Sequence, residues 1–164
     1  MAPDLSPAAA RVQAALRAAG LELRVTELPA STRTAAEAAA AVGCSVAQIV
    51  KSLVFRTVAS NEAVLVLASG GNRVDEARVG AYLREPIEKA SADFVRQRTG
   101  FSIGGVPPVG HPAALRTIVD EDLYALPRLW AAAGTPNAVF ALTPADLRAL
   151  LPGAVSLEMR AQGA

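Results

Sequence analysis

Residues 49–55 read IVKSLVF and, after a polar turn, residues 63–68 read AVLVLA. Both runs are short, apolar and rich in β-branched side chains, which is typical of strands inside a sheet. The turn between them contains Asn61 and favours a hairpin. We therefore predict that residues 49–55 pair with residues 63–68 in one sheet, and that the first strand is buried on both faces.

Helix-start signals flank this hairpin on both sides. Ser6 followed by Pro7 is typical of an N-cap and a first helical residue, and residues 34–37 (TAAE) match a capping box. Thr143 and Pro144 cap a last helix in the same way. With the patterns of residues 75–83 and 91–98, the sequence predicts five helices.

Further strands are expected along the chain. Residues 21–28 alternate apolar and polar side chains, as a half-buried strand does. Additional short strands are predicted at residues 116–119, 138–142 and 155–159. The mixture indicates an α/β (α+β) fold, and the absence of a linker or repeat favours a single domain over residues 1–164.

The composition narrows the class of protein. The chain has 164 residues, of which 52% are hydrophobic and 4% aromatic, so Ala, Val and Leu must fill one core. The net charge of +1 without a basic stripe predicts that any contact with nucleic acid is limited or aided by a partner. With neither a leader-like apolar N-terminus nor a long apolar run, the expected location is the cytoplasm, with no membrane contact.

Lys51 is the residue of the predicted hairpin that least fits a buried strand. It shares a strand face with Ile49, Leu53 and Phe55, and lysine is rarely buried without a partner. A functional site tolerates such a cost. The pattern is explained equally well if the strand lies at the edge of the sheet. It is also explained if the Lys51 ammonium reaches solvent while its aliphatic stem lies on apolar surface.

Residues 104–108 (GGVPP) form the second candidate site. Glycines let backbone N–H groups approach a ligand, and prolines fix the shape of a loop, so the segment could present amides to a carbonyl oxygen or a phosphate. An ordinary rigid turn is the alternative. When only this segment is considered, the rigid turn is favoured, because loops rich in glycine and proline are usually structural.

Other polar residues carry weaker signals. His111 is the sole histidine and Cys44 the sole cysteine, so neither a catalytic triad nor a zinc site is indicated. Residues 120–122 (DED) are expected in a solvated turn. Trp130 and Phe140 are expected in the core.

Taken in order, several segments resemble the YbaK/ProX family. The similar segments are residues 34–39 (TAAEAA) with Gly43, 48–55 (QIVKSLVF), 72–75 (NRVD), 99–110 (TGFSIGGVPPVG), 133–134 (AG), 138–142 (AVFAL) and 143–147 (TPADL). The resemblance implies a mixed, mostly antiparallel, curved sheet surrounded by helices. It also implies an aminoacyl-tRNA deacylase of the free-standing, trans-editing kind, which needs no metal or cofactor.

The resemblance also implies a site. It assigns catalytic roles to Lys51, Gly104, Gly105 and Pro108. Substrate contacts are expected from Val106, Phe101 and Ser52. The lysine would anchor a phosphate or stabilise charge near the ester, the loop amides would hold the carbonyl, and water or the ribose hydroxyl of the substrate would attack.

Two departures from the family pattern bear on the substrate. Ala132 stands where some relatives have Gly or Ser, and Pro107 precedes Pro108 where YbaK-type members have Ser-Pro. We therefore expect mischarged prolyl tRNA carrying Ala, Ser, Thr or 2-aminobutyrate, rather than Cys, as substrate. On the same resemblance, the expected partner is prolyl-tRNA synthetase or another translation factor. A non-catalytic module that binds tRNA or the synthetase is the alternative function.

Overall fold

The fold is described from a computed structural model, which covers residues 4–161. The α-helices are α1 (Pro7–Ala18), α2 (Ala35–Val42), α3 (Glu76–Leu83), α4 (Ala92–Thr99) and α5 (Pro144–Leu150). The strands are β1 (Thr26–Glu27), β2 (Ile49–Thr57), β3 (Ala63–Ser69), β4 (Ile87–Lys89), β5 (Arg116–Asp120), β6 (Leu129–Ala132), β7 (Ala138–Leu142) and β8 (Val155–Leu157). Two 3-10 helices lie at Val46–Gln48 and Glu121–Ala125.

Within the described residues, eight strands form one mixed sheet. Its order is β1-β7-β6-β2-β3-β5-β8, and β4 pairs with β2 beside this path. Four of the pairings are antiparallel and three are parallel. The predicted fold class is confirmed. So is the central hairpin, in which Val50 pairs with Ser69 and Arg56 with Ala63.

Both faces of the sheet are covered by helices. Leu65 and Leu67 of β3 belong to a core cluster that contains buried residues of α1, α4 and α5. Val64 and Val66 point to the other face and pack with Val79 of α3. Burial of these aliphatic side chains stabilises the fold by roughly 1.5–3 kcal/mol each.

The helix-start predictions are confirmed at their caps. The side chains of Ser6, Thr34 and Thr143 each accept a hydrogen bond from a backbone N–H of the first helical turn. Gly43 ends α2 with a φ of 77°, a left-handed conformation that glycine adopts without strain. Of the helices in residues 4–161, none is both long and apolar enough to cross a bilayer.

The outer edge of β2 is divided between two partners, which corrects the prediction of a strand buried on both faces. Strand β6 pairs only with Ile49 and Val50, and β4 pairs only with residues 55–57. Lys51, Ser52 and the two residues after them are therefore half-buried rather than buried. The gap between β6 and β4 opens a cleft at the middle of the sheet.

The predicted strand at residues 21–28 is wrong for most of its length. Only Thr26 and Glu27 pair with a strand, β7. The buried Gln13 side chain of α1 takes the place of a strand partner for the preceding residues. Its Nε2 donates to the Leu23 carbonyl at 2.8 Å, and its Oε1 accepts from the Val25 N–H at 2.9 Å.

The solvated turn expected at residues 120–122 is also wrong. Asp120 is 1% exposed and caps the 3-10 helix Glu121–Ala125 by accepting a hydrogen bond from the Asp122 N–H. Glu121 and Asp122 are exposed, as expected. Three consecutive acidic residues suggested a solvated turn, but the first of them, Asp120, faces the protein interior at the end of β5.

Candidate active site

Lys51 lies in the gap of the β2 edge and is half-buried. Its Nζ donates to the Asn72 carbonyl oxygen at 2.7 Å, in the loop that follows β3. Burial lowers the pKa of Lys51 from its ordinary value, and the negative charge of Asp120 partly opposes that shift. The side chain therefore holds an ammonium in a partly desolvated cleft, where its electrostatic effect is stronger than in water.

Ser52 presents polar groups to the same gap. The Ile49 carbonyl bonds to Gly70 and the Thr57 N–H to Glu62, so odd-numbered residues of β2 direct their backbone groups to β3. The backbone N–H and carbonyl of Ser52 therefore point away from β3, into the gap where neither β6 nor β4 pairs with β2. Its Oγ is buried and, among the described residues, has no hydrogen-bond partner. A buried polar atom of this kind is usually satisfied by water or a ligand.

The glycine-proline loop lies across the gap from Lys51. Gly104 has a φ of 93°, and a Cβ there would meet the Cγ of Arg33 at 2.6 Å. Gly105 is held on both sides, because its N–H donates to Ser102 and its carbonyl accepts from Gly134. A Cβ on Gly105 would lie 3.0 Å from the backbone of Gly134 and Thr135. Glycine is thus favoured at Gly104 by its positive φ and by the Arg33 side chain, and at Gly105 by close backbone packing.

Two connected chambers meet at Lys51 and Ser52. The first, which we call the apolar chamber, encloses about 290 Å³ and is lined by α2, β6 and the loop, including Ala35, Ala38, Trp130 and Ala132. The second encloses about 560 Å³, and we call it the polar chamber because its lining includes the charged residues Arg73, Glu76 and Lys89. Gly70, Gly71 and Asn72 also line it, together with apolar residues such as Val54 and Val95. Five residues line both chambers: Lys51, Ser52, Leu53, Ile103 and Val106.

The structure brings four of the seven candidate residues together. Lys51, Ser52 and Val106 line both chambers, and Gly104 lines the apolar one. Gly105 and Pro108 are buried behind this surface, where Gly105 fixes the shape of the loop.

Phe101 does not line either chamber. It is 2% exposed and packs in the main core, with the Arg11 guanidinium 4.5 Å from its ring centroid. The substrate contact expected of Phe101 is therefore unsupported by its position, and we assign the residue to the packing beneath the loop.

Several site residues were missed from the sequence. Trp130 was expected in the core, yet it is only half-buried and lines the apolar chamber. Asn72 was noted only within the family-like segment 72–75 and was given no role, but its carbonyl accepts the hydrogen bond of Lys51. Arg33 lies against Gly104 at the mouth of the apolar chamber. A strand-and-loop pattern gives no signal for these residues, because strands and loops distant in sequence bring them together.

His111 and Cys44 lie outside the two chambers. The His111 Nε2 lies 2.8 Å from the Pro107 carbonyl, and burial lowers the pKa of the ring. Cys44 contacts the Ser45 carbonyl through Sγ, and burial raises the pKa of its thiol, so the thiolate is disfavoured. Across residues 4–161, no group of three or more His, Cys, Asp or Glu side chains is arranged to hold a metal ion.

Known proteins resemble this chain over about half to three-quarters of its length. The family model for the aminoacyl-tRNA editing domain matches residues 29–150. The protein YwhH of Bacillus subtilis is 31% identical over 123 residues, which make up 75% of this chain and 78% of YwhH. The proline–tRNA ligase of Lactobacillus gasseri is 34% identical over 80 residues, or 48% of this chain and 14% of the ligase.

A solved structure resembles it more closely. A crystal structure described as that of a candidate trans-editing enzyme for prolyl tRNA synthetase superimposes with a TM-score of 0.90 and 51% sequence identity. The superposition covers 96% of this chain and 99% of that one. The family model spans well over half of the sequence and includes both the Lys51 strand and the glycine-proline loop. The chain therefore belongs to the YbaK/ProX-type family of aminoacyl-tRNA editing domains.

Proposed function

We propose that the protein is a trans-editing deacylase, which hydrolyses the ester between a small, wrongly attached amino acid and prolyl tRNA. The oxygen of a water molecule adds to the ester carbonyl carbon, and the bond from that carbon to the ribose oxygen then breaks. The products are the free amino acid and a tRNA with an intact terminal ribose. No described side chain of the two chambers is arranged as an activated nucleophile, so the proposal assigns positioning and electrostatics to the protein.

One observation carries this proposal. A half-buried ammonium, Lys51, and a glycine-rich loop face each other across an unpaired segment of sheet edge, between an apolar and a polar chamber. An aminoacyl-tRNA end has the same three parts: an apolar or small side chain, a reacting ester and a charged nucleotide. The apolar chamber, the junction at Lys51 and the loop, and the polar chamber match these three parts in that order.

The amino acid is assigned to the apolar chamber. Its walls include Ala35, Ala38 and Ala132, whose methyl groups leave room for a small side chain and offer it no charged partner. Trp130 bounds the chamber on β6. A volume of about 290 Å³ suits a small aliphatic or hydroxyl amino acid together with its ester group.

The terminal nucleotide is assigned to the polar chamber. Arg73 and Lys89 supply positive charge there, and Gly71, where a Cβ would meet no atom within 4 Å, adds no side chain to the lining. Arg73, Lys89 and the nearby Arg33 are exposed. These few cations would give local phosphate contacts, which agrees with a chain of net charge +1 that lacks a basic stripe.

The reacting ester is assigned to the junction of the chambers. Among the described residues, the N–H groups of Gly104 and Val106 make no hydrogen bond, so both are free to donate to a carbonyl oxygen that gains negative charge. The Ser52 Oγ, which has no partner in the described chain, would bond to the ribose or to the α-amino group. Lys51 would stabilise the developing charge or the terminal phosphate.

The partner implied by this proposal is a mischarged tRNA released from its synthetase. Similarity to a segment of proline–tRNA ligases makes prolyl-tRNA synthetase the natural candidate for a physical partner. Both the prolyl tRNA and the synthetase are proposals that rest on these relatives.

A deacylation panel tests the proposal. Prolyl tRNA charged with alanine, serine, threonine, 2-aminobutyrate, cysteine or proline is incubated with the protein, and the ester remaining is measured against the uncatalysed loss. We expect the fastest turnover on one of the first four. Binding of tRNA without turnover of any ester would instead support a non-catalytic module.

A pair of variants on α2 tests the assignment of the amino acid. Ala38 is 4% exposed and lines the apolar chamber, whereas Ala40 lies on the exposed face of the same helix. Ala38→Leu should fill the chamber and reduce turnover at least tenfold, a change of about 1.4 kcal/mol in the barrier. Ala40→Leu, the matched control, should retain wild-type turnover. Equal turnover by both folded variants would contradict the assignment.

A further inference from the structure

A buried carboxylate lies behind Lys51, at the end of β5. Asp120 is 1% exposed, and its Oδ2 accepts hydrogen bonds from the Ser69 N–H at 3.0 Å and from the Asn72 Nδ2 at 2.8 Å. In the part of the chain that the structure describes, no arginine or lysine forms an ion pair with it. A charge buried without an ion pair is costly, and such groups are concentrated at functional sites.

Asn72 joins this carboxylate to Lys51. The Asn72 Nδ2 donates to the buried Asp120 and also to the exposed Asp122, each at 2.8 Å. The Asn72 backbone carbonyl accepts the hydrogen bond of the Lys51 ammonium at 2.7 Å. The Asn72 N–H also donates to Ser69 at 2.9 Å, so the residue is fixed through both its side chain and its backbone. Lysine has a flexible four-carbon stem, so an acceptor fixed in space determines where its ammonium lies.

We propose that Asp120 is a positioning residue of the active site: through the Asn72 side chain it fixes the carbonyl oxygen that orients the Lys51 ammonium, and its buried negative charge supports that ammonium. The proposal goes beyond the family assignment, which concerns Lys51, its neighbour Ser52 and the glycine-proline loop. Its kinetic consequences rest on the proposed deacylase function, but its electrostatic consequence does not.

The electrostatics of Lys51 agree with this arrangement. Burial lowers the pKa of Lys51, and the charge of Asp120 acts in the opposite direction. Loss of that charge should therefore move the titration of Lys51 to still lower pH. The other charged groups that line the chambers with Lys51 are Arg33, Arg73, Glu76 and Lys89.

A purely structural role for Asp120 makes a different prediction. Its Oδ1 caps the 3-10 helix Glu121–Ala125 through the Asp122 N–H, at 3.0 Å. Asparagine is about as good an N-cap as aspartate. Asp120→Asn can thus keep the cap through its Oδ1, but its Nδ2 cannot accept from the Ser69 N–H or from the Asn72 side chain, so the variant removes both the charge and the link to Asn72. A role limited to capping would leave the titration of Lys51 unchanged.

The chain is well suited to a direct test, because Lys51 and Lys89 are its only lysines. Lysine labelled with ¹³C at Cε gives two resonances, and Lys89 provides the internal reference signal. We expect Lys51 to titrate at lower pH in Asp120→Asn than in the wild type. Glu121→Gln, which makes the same charge change at the exposed neighbouring residue, should leave the Lys51 titration where it is in the wild type.

Kinetics supply the second readout. Asp120→Asn should lower kcat by up to about 100-fold with a smaller change in KM, because a misplaced ammonium acts mainly on the reacting state. If Asp120→Asn does not fold, Asn72→Ala tests the proposal instead. It keeps the Asp120 carboxylate and the backbone carbonyl of residue 72, but it removes the side-chain hydrogen bonds to Asp120 and Asp122. We expect about a tenfold loss of kcat for Asn72→Ala.

Two results would overturn the proposal. One is a folded Asp120→Asn variant with the Lys51 titration and the kcat of the wild type. The other, where that variant is unfolded, is a wild-type kcat for Asn72→Ala. If the wild-type protein deacylates no substrate, the proposed function fails, and the NMR titration alone still decides whether Asp120 supports Lys51.

Discussion

Strands β2 and β3 are neighbours of similar composition, yet they differ in what they do. All seven residues of β3 are buried, because the strand has partners along both edges and helices on both faces. Strand β2 has β3 along one edge, but its other edge is shared between β6 and β4, with a gap at Lys51 and Ser52. The core lies where pairing is complete, and the candidate site lies where it stops.

This difference predicts two classes of variant. Substitutions in the gap of β2 should affect turnover more than stability. Substitutions in β3 should affect stability more than turnover. The predictions below test this separation, beginning with the largest expected effect.

Lys51→Ala should reduce deacylation by on the order of a hundred- to a thousand-fold, because it removes a charge aimed at a phosphate or a developing oxyanion, worth about 3–4 kcal/mol. The folded state lowers the pKa of Lys51, so at neutral pH its charge opposes folding. The melting temperature of the variant should therefore be unchanged or higher. Single-turnover rates and thermal unfolding measure the two quantities.

Lys51→Arg sharpens the same prediction. Arginine keeps the positive charge but changes the length and geometry of the donor group. If the position of the ammonium matters, arginine should restore little of the lost activity. Near-complete rescue would show that charge alone is sufficient and would weaken the role assigned to the Asn72 carbonyl.

Leu65→Ala should have the opposite profile to Lys51→Ala. Leu65 is fully buried on β3, and such a truncation typically costs about 2–5 kcal/mol of unfolding free energy. Turnover per folded molecule should remain close to that of the wild type, because Leu65 lines neither chamber. Chemical denaturation and active-fraction kinetics check both parts. A selective loss of turnover in a stable protein would contradict the separation of the two strands.

Gly105→Ala tests whether the loop must pack closely on its neighbour. The added Cβ would lie 3.0 Å from backbone atoms of Gly134 and Thr135, so the loop must move away. We expect about a tenfold loss of turnover, or about 1.4 kcal/mol in the barrier. Gly153→Ala is the matched control, because a Cβ there meets no atom within 4 Å. Equal activity of the two variants would argue against a fixed loop.

His111→Ala and Cys44→Ala should have the smallest effects on catalysis. His111 contacts the Pro107 carbonyl and Cys44 the Ser45 carbonyl, and neither lines a chamber. We expect turnover within about threefold of the wild type at equal folded fraction, a barrier change of under about 1 kcal/mol. A large loss of kcat in a folded variant would revive nucleophilic catalysis by the protein.

Local patterns were sufficient to predict much of the fold. The hairpin of β2 and β3 follows from two apolar runs and a short turn, and the helix starts follow from caps such as Thr34 and Thr143. Strands β4 and β6 were not predicted, because three residues and an LWAA segment carry too little periodicity. The alternation of residues 21–28 was misleading because Gln13 substitutes for a strand partner.

The candidate site was only partly predictable. Lys51 is conspicuous because a charge interrupts an apolar strand, and the loop is conspicuous because of its glycines and prolines. Asp120 and Trp130 give no such signal, because their positions depend on how β5 and β6 join the sheet. The gap itself is a property of three strands together, so no single segment encodes it.

Binding of a non-hydrolysable substrate analogue tests the location of the site most directly. Adenosine that carries alanine through a 3′-amide in place of the ester can be titrated into ¹⁵N-labelled protein while the backbone amide shifts are followed. The two-chamber site predicts the largest shifts at residues 51–53 and 103–106. A wider groove of about 1430 Å³ lies between α1 and residues 20–27, and shifts concentrated there would contradict the claim that the gap of β2 is the active site.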